Sequence, residues 1–397
     1  MSEPHLPRAV WLLFAGSLIN RLGAFVLPLL ALYLVRVQRF SPTQTGIVLS
    51  LYGLGSLSAG PLGGWLADRL GRRRTLLIAL PWGAVAMLIV PFAHGFVGVG
   101  AAILHLGLAN DLYRPAIHAA VADLCGPEAR PRAFALLYWA VNLGFAVSMA
   151  AGGFLARAGF GLLFVVDAAT TMAYALLIAL FMPETRVPAR SDPAPATRGG
   201  FAEVLADNVL LAFLATQVLV GVLFIQSTST LPLTLQARGL GPERYGLVCS
   251  LNGVLIVLFQ PFVARLSARA RRTRALALGA ILTGIGFGLN APDLGLAGAA
   301  ASVALWTFGE MVGMPITPAL VADLAPPSLR GRYHGLAQMS WGACALIGPA
   351  LGMTVLEHGS ATLLWAGCLG VGALAALVHL GSARRLRARL GGRGQPP

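Results

Sequence analysis

The chain has 397 residues, 57% hydrophobic and 11% charged, with a mean hydropathy of +0.75 and a formal net charge of +14. Soluble domains carry roughly 25% charged residues, so the composition excludes a water-exposed globular surface and implies membrane spans. All 29 basic residues are arginine, dispersed between apolar runs and not gathered into a binding face, which argues against a nucleic-acid partner.

About a dozen apolar stretches are long enough to cross a bilayer, which takes roughly 20 residues. In chain order they fall near 9–35, 43–67, 75–93, 96–121, 133–156, 160–182, 209–236, 244–266, 274–291, 295–321, 333–356 and 360–382. Continuous apolar runs without two-residue alternation predict helices, not a barrel. The first run follows a single arginine and lacks a small-residue cleavage site, so it reads as a retained span. Between the sixth and seventh runs, "PETRVPARSDPAPATRGGF" reads as a surface linker. The expected organisation is a six-helix bundle at 1–182, a linker at 183–207, a second bundle at 208–383 and a basic tail at 384–397.

The arginines orient the spans. Arg36, Arg39, Arg157, Arg238 and Arg244 fall on one side, Arg21 and Arg114 lie within spans, and the remainder fall on the other side. By the positive-inside rule that richer side is the cytoplasm, which places both termini and the linker there. The tail "ARRLRARLGGRG" is expected against anionic headgroups. Cys125, Cys249, Cys344 and Cys368 are scattered without CxxC spacing, and the seven histidines show no ligand spacing. Neither a disulfide framework nor a metal or other cofactor is implied.

The chain repeats itself at an offset of 200. "VADLCGPEARPRA" begins at Val121 and "VADLAPPSLRGRY" at Val321. Asp123 answers Asp323, Arg130 answers Arg330, and Arg69, Arg72 and Arg74 answer Arg269, Arg272 and Arg274. Six helices per repeat put both starts on one side, so the repeats are parallel.

At the end of the second run stands "GGWLADRLGRRRTLL". Gly71 permits a tight reversal, and Asp68 offers a negative charge, read as lying at a buried edge, among Arg69, Arg72 and Arg73, which can form charge-assisted hydrogen bonds. This run resembles the signature of the major facilitator superfamily, and the twelve spans, midpoint linker and duplication agree with it across the chain. Asp123-x6-Arg130 and Asp323-x6-Arg330 resemble the acid-x6-Arg motif of the same superfamily. The resemblance implies an all-α membrane fold of two pseudo-symmetric six-helix bundles. It also implies a cytoplasmic gate built from Asp68, Arg69, Gly71, Arg72, Asp123, Arg130, Asp323 and Arg330, each Asp bridging to the Arg that opens the next helix. Two departures stand out. Ala268 replaces a second Asp68, and the fifth span reads "SMAAGG", with Ser148-Met149 where exporters carry Gly-Pro.

Ionisable groups inside apolar spans are functional candidates, since a charge at mid-membrane costs about 2.5–3.5 kcal/mol on insertion scales. Asn20 and Arg21 lie in the first span, Asn110, Asp111 and Arg114 in the fourth, and Glu310 in the tenth. The resemblance implies that spans one, four, seven and ten line a central cavity. Asn20, Arg21, Asn110, Arg114, Gln226, Thr230 and Met314 are then substrate-binding candidates, with Thr307 and Thr317 on the Glu310 face. Asp111 and Arg114 are i,i+3 neighbours and can neutralise each other. Glu310 has no basic residue within its own helix's reach, so Glu310 is the first proton-coupling candidate and Asp111 the second. Asp167 reads as structural, on a peripheral helix.

The resemblance is greatest to the twelve-helix drug:proton antiporters. It implies proton-coupled efflux of small amphipathic compounds by a monomer in a bacterial inner membrane, with substrate and protons as partners and no enzymatic step. Uptake or export of a specific metabolite is the second reading, and a non-transporting sensor the third. No GxxxxGK[ST] is present, so ATP is not the expected energy source. In a cysteine-free background, Arg39→Cys and Arg238→Cys should react with an impermeant thiol reagent in intact cells, and Asp192→Cys should not; labelling at 192 would reverse the topology.

Overall fold

The structure is a computed structural model describing residues 6–126, 128–185, 201–267, 270–326 and 329–391. Hydrocarbon offers no hydrogen-bonding partner, so a spanning chain satisfies its backbone internally. The described residues accordingly form helices and no strand. The first half contains α1 (Arg8–Leu22), α2 (Val26–Arg36), α3 (Pro42–Leu70), α4 (Arg72–Ile89), α5 (Gly95–Asp111), α6 (Arg114–Leu124), α7 (Arg130–Ala158) and α8 (Phe160–Phe181). A short α9 (Phe201–Leu205) precedes α10 (Asn208–Gln226), α11 (Thr230–Ala237), α12 (Pro242–Ser267), α13 (Arg272–Gly288), α14 (Gly295–Gly313), α15 (Ile316–Leu324), α16 (Arg330–His358) and α17 (Ala361–Gly391).

Among the described residues, eleven helical segments are long and apolar enough to cross a membrane. The twelfth expected span is α13, whose 17 residues lie at the short limit of about 17–25. Four expected spans differ from the sequence reading in one respect: each is broken. The first is interrupted at Gly23–Phe25, the fourth at Leu112–Tyr113, the seventh at Ser227–Ser229 and the tenth at Met314–Pro315. Pro115 and Pro315 withdraw a backbone donor at two of the breaks. The breaks occupy the first and fourth spans of each repeat. Part of the linker, 186–200, and the end of the basic tail, 392–397, lie outside the described residues. The remainder of the tail continues α17 as helix to Gly391.

By contact, the chain forms two units, Met1–Ala189 with Thr228–Val257, and Arg190–Ser227 with Leu258–Pro397. In the first unit α1 packs on α7 and α8, α3 on α5, and α4 on α8. Leu13, Leu76, Ile117, Tyr174 and Ile178 form its buried centre. The glycine of the fifth span serves close packing here. A Cβ on Gly153 would lie 2.4 Å from the Pro242 carbonyl oxygen, and one on Gly246 would lie 2.2 Å from that of Met149, so α7 and α12 approach backbone to backbone.

In the second unit α13 packs on α14 and α17, and α10 on α16. Val204, Leu210, Phe213, Leu324, Tyr333 and Leu386 join α9, α10, α15, α16 and α17 in one cluster. Asp207 caps this end. Its Oδ1 accepts the Val209 and Leu210 amides, both at 3.1 Å. Its Oδ2 accepts the Tyr333 hydroxyl at 2.8 Å and Arg389 Nη2 at 3.5 Å. Burial works against the ionised carboxyl, but Tyr333, the two amides and Arg389 outweigh it and hold Asp207 below its ordinary range. A depressed acid contributes stability above its unfolded value and loses it as pH falls through the folded one. Asp207→Ala should cost roughly 1 kcal/mol near neutral pH, a typical cap loss. Thermal unfolding in nanodiscs should show the gap to wild type closing below about pH 4; a gap independent of pH would deny the charge a part in it.

Candidate functional site

The first polar constellation surrounds the breaks of the first unit. Asn20, buried near the end of α1, donates to Thr171 Oγ1 on α8 at 2.8 Å. Tyr113, in the turn between α5 and α6, donates to Asn20 Oδ1 at 3.3 Å and accepts Arg21 Nη2 at 2.8 Å. Ser17 and Tyr174 lie 3.4 Å apart on the same side. One network therefore ties the break of the first span to that of the fourth. Asn20 and Arg21, chosen from sequence, are both in it; Tyr113, Thr171 and Tyr174 were not chosen.

The second group is local to the fourth break. Arg114 Nε lies 2.8 Å from Asp111 Oδ1, confirming the i,i+3 ion pair. The other oxygen, Asp111 Oδ2, accepts the Ser56 hydroxyl of α3. Asn110 donates to Tyr52 OH at 2.9 Å, again on α3. Asp111 is thus held by a cation and a hydroxyl, while half of the Arg114 side chain remains exposed.

The second unit holds an open pocket lined from α10, α13, α14, α15, α16 and α17. Glu310, Met314 and Thr317 line it, as their helical spacing suggested. Thr307 does not: it is buried and donates to the Val303 carbonyl. Phe224, Trp341 and His379 supply aromatic walls, and Gln217 Nε2 donates to Thr317 Oγ1 at 2.6 Å. Gln226 corrects the sequence reading. Its amide donates to the Val222 and Gly348 carbonyls, each at 3.0 Å, so it joins α10 to α16 beside Pro349 and does not line the pocket. Thr230 is fully buried as the first residue of α11.

The duplicated phrase places its acids in equivalent ion pairs. Arg72 Nε lies 2.7 Å from Asp123 Oδ2, without the alignment of a linear hydrogen bond. Arg272 pairs with Asp323 in the second unit. For Asp123 the expected partner was Arg130 of the same phrase, and this is a correction. Arg130 donates instead to the Cys125 carbonyl at 3.1 Å and the Ala122 carbonyl at 2.8 Å, which receive it because the end of a helix leaves carbonyls open. The Arg330 side chain lies outside the described residues. Asp68 also departs from expectation. Its side chain is 79% exposed, not at a buried edge, and lies 3.6 Å from Arg72. Arg69 stacks over Trp65 at 5.1 Å.

Glu184, overlooked in the sequence, completes this end. Its Oε1 accepts the Arg72 and Arg73 amides at 2.9 and 3.4 Å, capping α4. Gly71 has φ +92, and a Cβ there would stand 2.6 Å from Glu184 Oε2. The backbone conformation demands glycine, and a side chain there would also displace the Glu184 carboxylate.

The profile of the Major Facilitator Superfamily matches residues 13–309 and 227–395. The chain belongs to this superfamily. It is 26% identical over 365 residues to the MFS-type transporter YttB of Bacillus subtilis, covering 89% of each chain. It is 25% identical over 377 residues to the multidrug resistance protein MdtH of Aeromonas salmonicida, covering 93% of this chain and 94% of that one. A solved POT family transporter in complex with 5-aminolevulinic acid superposes with a TM-score of 0.80 over 96% of this chain and 97% of the other, at 14% identity. That likeness speaks for the fold alone.

As a major facilitator transporter, the chain has its signature residues in unequal surroundings. Arg72 and Asp123 are 16% and 18% exposed, whereas Arg272 is 43% exposed. A partly buried pair loses more when one partner is removed than a solvated pair does. Arg72→Gln should therefore lower stability by more than about 1 kcal/mol, and Arg272→Gln or Asp68→Asn by less. Denaturation in lipid nanodiscs measures this ranking; equal losses would mean that the two pairs are interchangeable.

Proposed function

We propose that this transporter exports small amphipathic compounds in exchange for protons by alternating access. In this reading it works as a monomer in a bacterial cytoplasmic membrane, with both termini in the cytoplasm. The observation that carries the proposal is the pocket of the second unit. One carboxyl, Glu310, stands there among Phe224, Trp341 and Met314, with hydroxyl and amide groups at Thr317 and Gln217. Such a lining accommodates an apolar or aromatic body and a few polar contacts; a sugar would need a denser set. The name of the MdtH relative is in keeping with this substrate class.

Glu310 is the proposed coupling residue, taking a proton from one side and releasing it to the other in competition with substrate. Asp111 is second, because Arg114 and Ser56 already hold its charge. Asn20, Arg21, Asn110, Arg114 and Met314 are proposed to contact substrate during the cycle. The Arg72–Asp123 and Arg272–Asp323 pairs, with Asp68, Arg69, Gly71 and Arg130, are the proposed cytoplasmic gate. Transport of a specific metabolite is the second reading, favoured by Ser148-Met149 where exporters carry Gly-Pro.

Proteoliposomes with an imposed pH gradient, screened over dyes and metabolites, test the reading. Glu310→Gln should abolish gradient-driven transport while keeping substrate binding that no longer varies with pH. Wild-type rates in that variant would transfer the coupling role to Asp111.

A further inference from the structure

The polar stripe of α8 meets the break of the first span. Asp167, Thr170, Thr171 and Tyr174 recur at helical spacing, on a helix whose sequence suggested a peripheral place. Thr171 holds Asn20, and Tyr174 faces Ser17. Thr170 fills the volume that a Cβ on Gly23 would enter, at 2.0 Å. Asp167, only 2% exposed, accepts the Val26 amide on Oδ2 at 3.3 Å.

Val26 opens α2, so its amide is one of those a helix start leaves without an internal partner. Positive charge density at a helix start favours an ionised acid. Burial opposes ionisation. On the elements packed against α8, namely α1, α2, α4, α7 and the short turn Val90–Phe92, the charge acting on Asp167 is Arg21, which itself donates to Tyr113. Of the phenols on this side, Tyr33 packs on Phe164 of α8 and Tyr113 on Tyr174. The cap and the ionised carboxyl therefore sustain each other, and the turn Gly23–Phe25 depends on both.

We propose that Asp167 is a second proton-binding residue of this transporter, a positioning residue whose protonation uncaps α2 and loosens the break of the first span. A proton from water adds to the carboxylate and gives a neutral carboxyl; the Val26 amide keeps only an uncharged acceptor, and deprotonation restores the cap. The inference rests on the proton-coupled reading above and supplies it with a conformational lever in the unit that lacks Glu310.

Hydrogen–deuterium exchange of segment 23–30 in lipid nanodiscs, normalised for intrinsic rates, tests the lever. In wild type, acidification should raise exchange roughly fivefold or more, the difference between a charged and a neutral hydrogen bond. In Asp167→Asn, whose side-chain carbonyl remains an uncharged acceptor, exchange should stay high and independent of pH. A pH-step infrared difference spectrum should show protonated-carboxyl intensity of which one component persists in Glu310→Gln and is missing in Asp167→Asn. Exchange that does not vary with pH in wild type, or a full carboxyl band in Asp167→Asn, overturns the proposal. Wild-type exchange that does not vary with pH overturns the proposal even if the variant fails to assemble. Neither readout uses a transported compound, so a failed efflux screen remains distinguishable from failure here.

Discussion

A backbone inside hydrocarbon has to satisfy its own hydrogen bonds, and this requirement organises the whole molecule. It makes the described residues helical, and it makes every interruption of a helix expensive. Four interruptions nevertheless occur, in the first and fourth spans of each repeat. Each exposes backbone groups that neighbouring side chains or turns have to meet. Val26 is met by Asp167, while Gln226, just before the third break, reaches a carbonyl of α16. Irregular backbone at membrane depth is tolerated where protein or a cavity surrounds it, so the breaks and the polar groups occupy the same places.

The two repeats have kept the same skeleton and distributed chemistry differently over it. The Arg72–Asp123 and Arg272–Asp323 pairs match at an offset of 200. Around the breaks the resemblance ends. The first unit answers with a hydrogen-bonded chain of Asn20, Tyr113, Arg21 and Thr171 and an internally neutralised Asp111. The second opens a pocket whose carboxyl is Glu310. Duplication thus supplied symmetric scaffolding, and subsequent divergence separated a cationic network from an acidic pocket.

Much of this was legible in the residues. Apolar length and the repeated phrase led to twelve spans in two repeats, and i,i+3 spacing led to the Asp111–Arg114 pair. The breaks were obscured because a hydropathy window averages across two or three residues, although Pro115 and Pro315 marked two of them. The expected partner of Asp123 was Arg130, at the other end of the Asp-x6-Arg phrase; the matching register of Arg72 and Arg272 pointed to the observed one instead. The stripe of Asp167, Thr170, Thr171 and Tyr174 was readable at helical spacing, but only packing shows that it meets Gly23. Glu184 and the pocket walls at Gln217 and His379 depend on helices far apart in the chain.

The contact between Gly153 of α7 and Pro242 at the head of α12 bears on how the protein is made. Ribosomes deliver the chain from its N-terminus, and the duplicated units are joined at the linker. Yet the first unit by contact also includes Thr228–Val257. A nascent chain that has just completed α8 has not yet made the residues that meet Gly153 of α7. Gene duplication and contact consequently divide this polypeptide at different points, and a bulky residue at Gly153 would push apart two helices that the repeat boundary assigns to different halves.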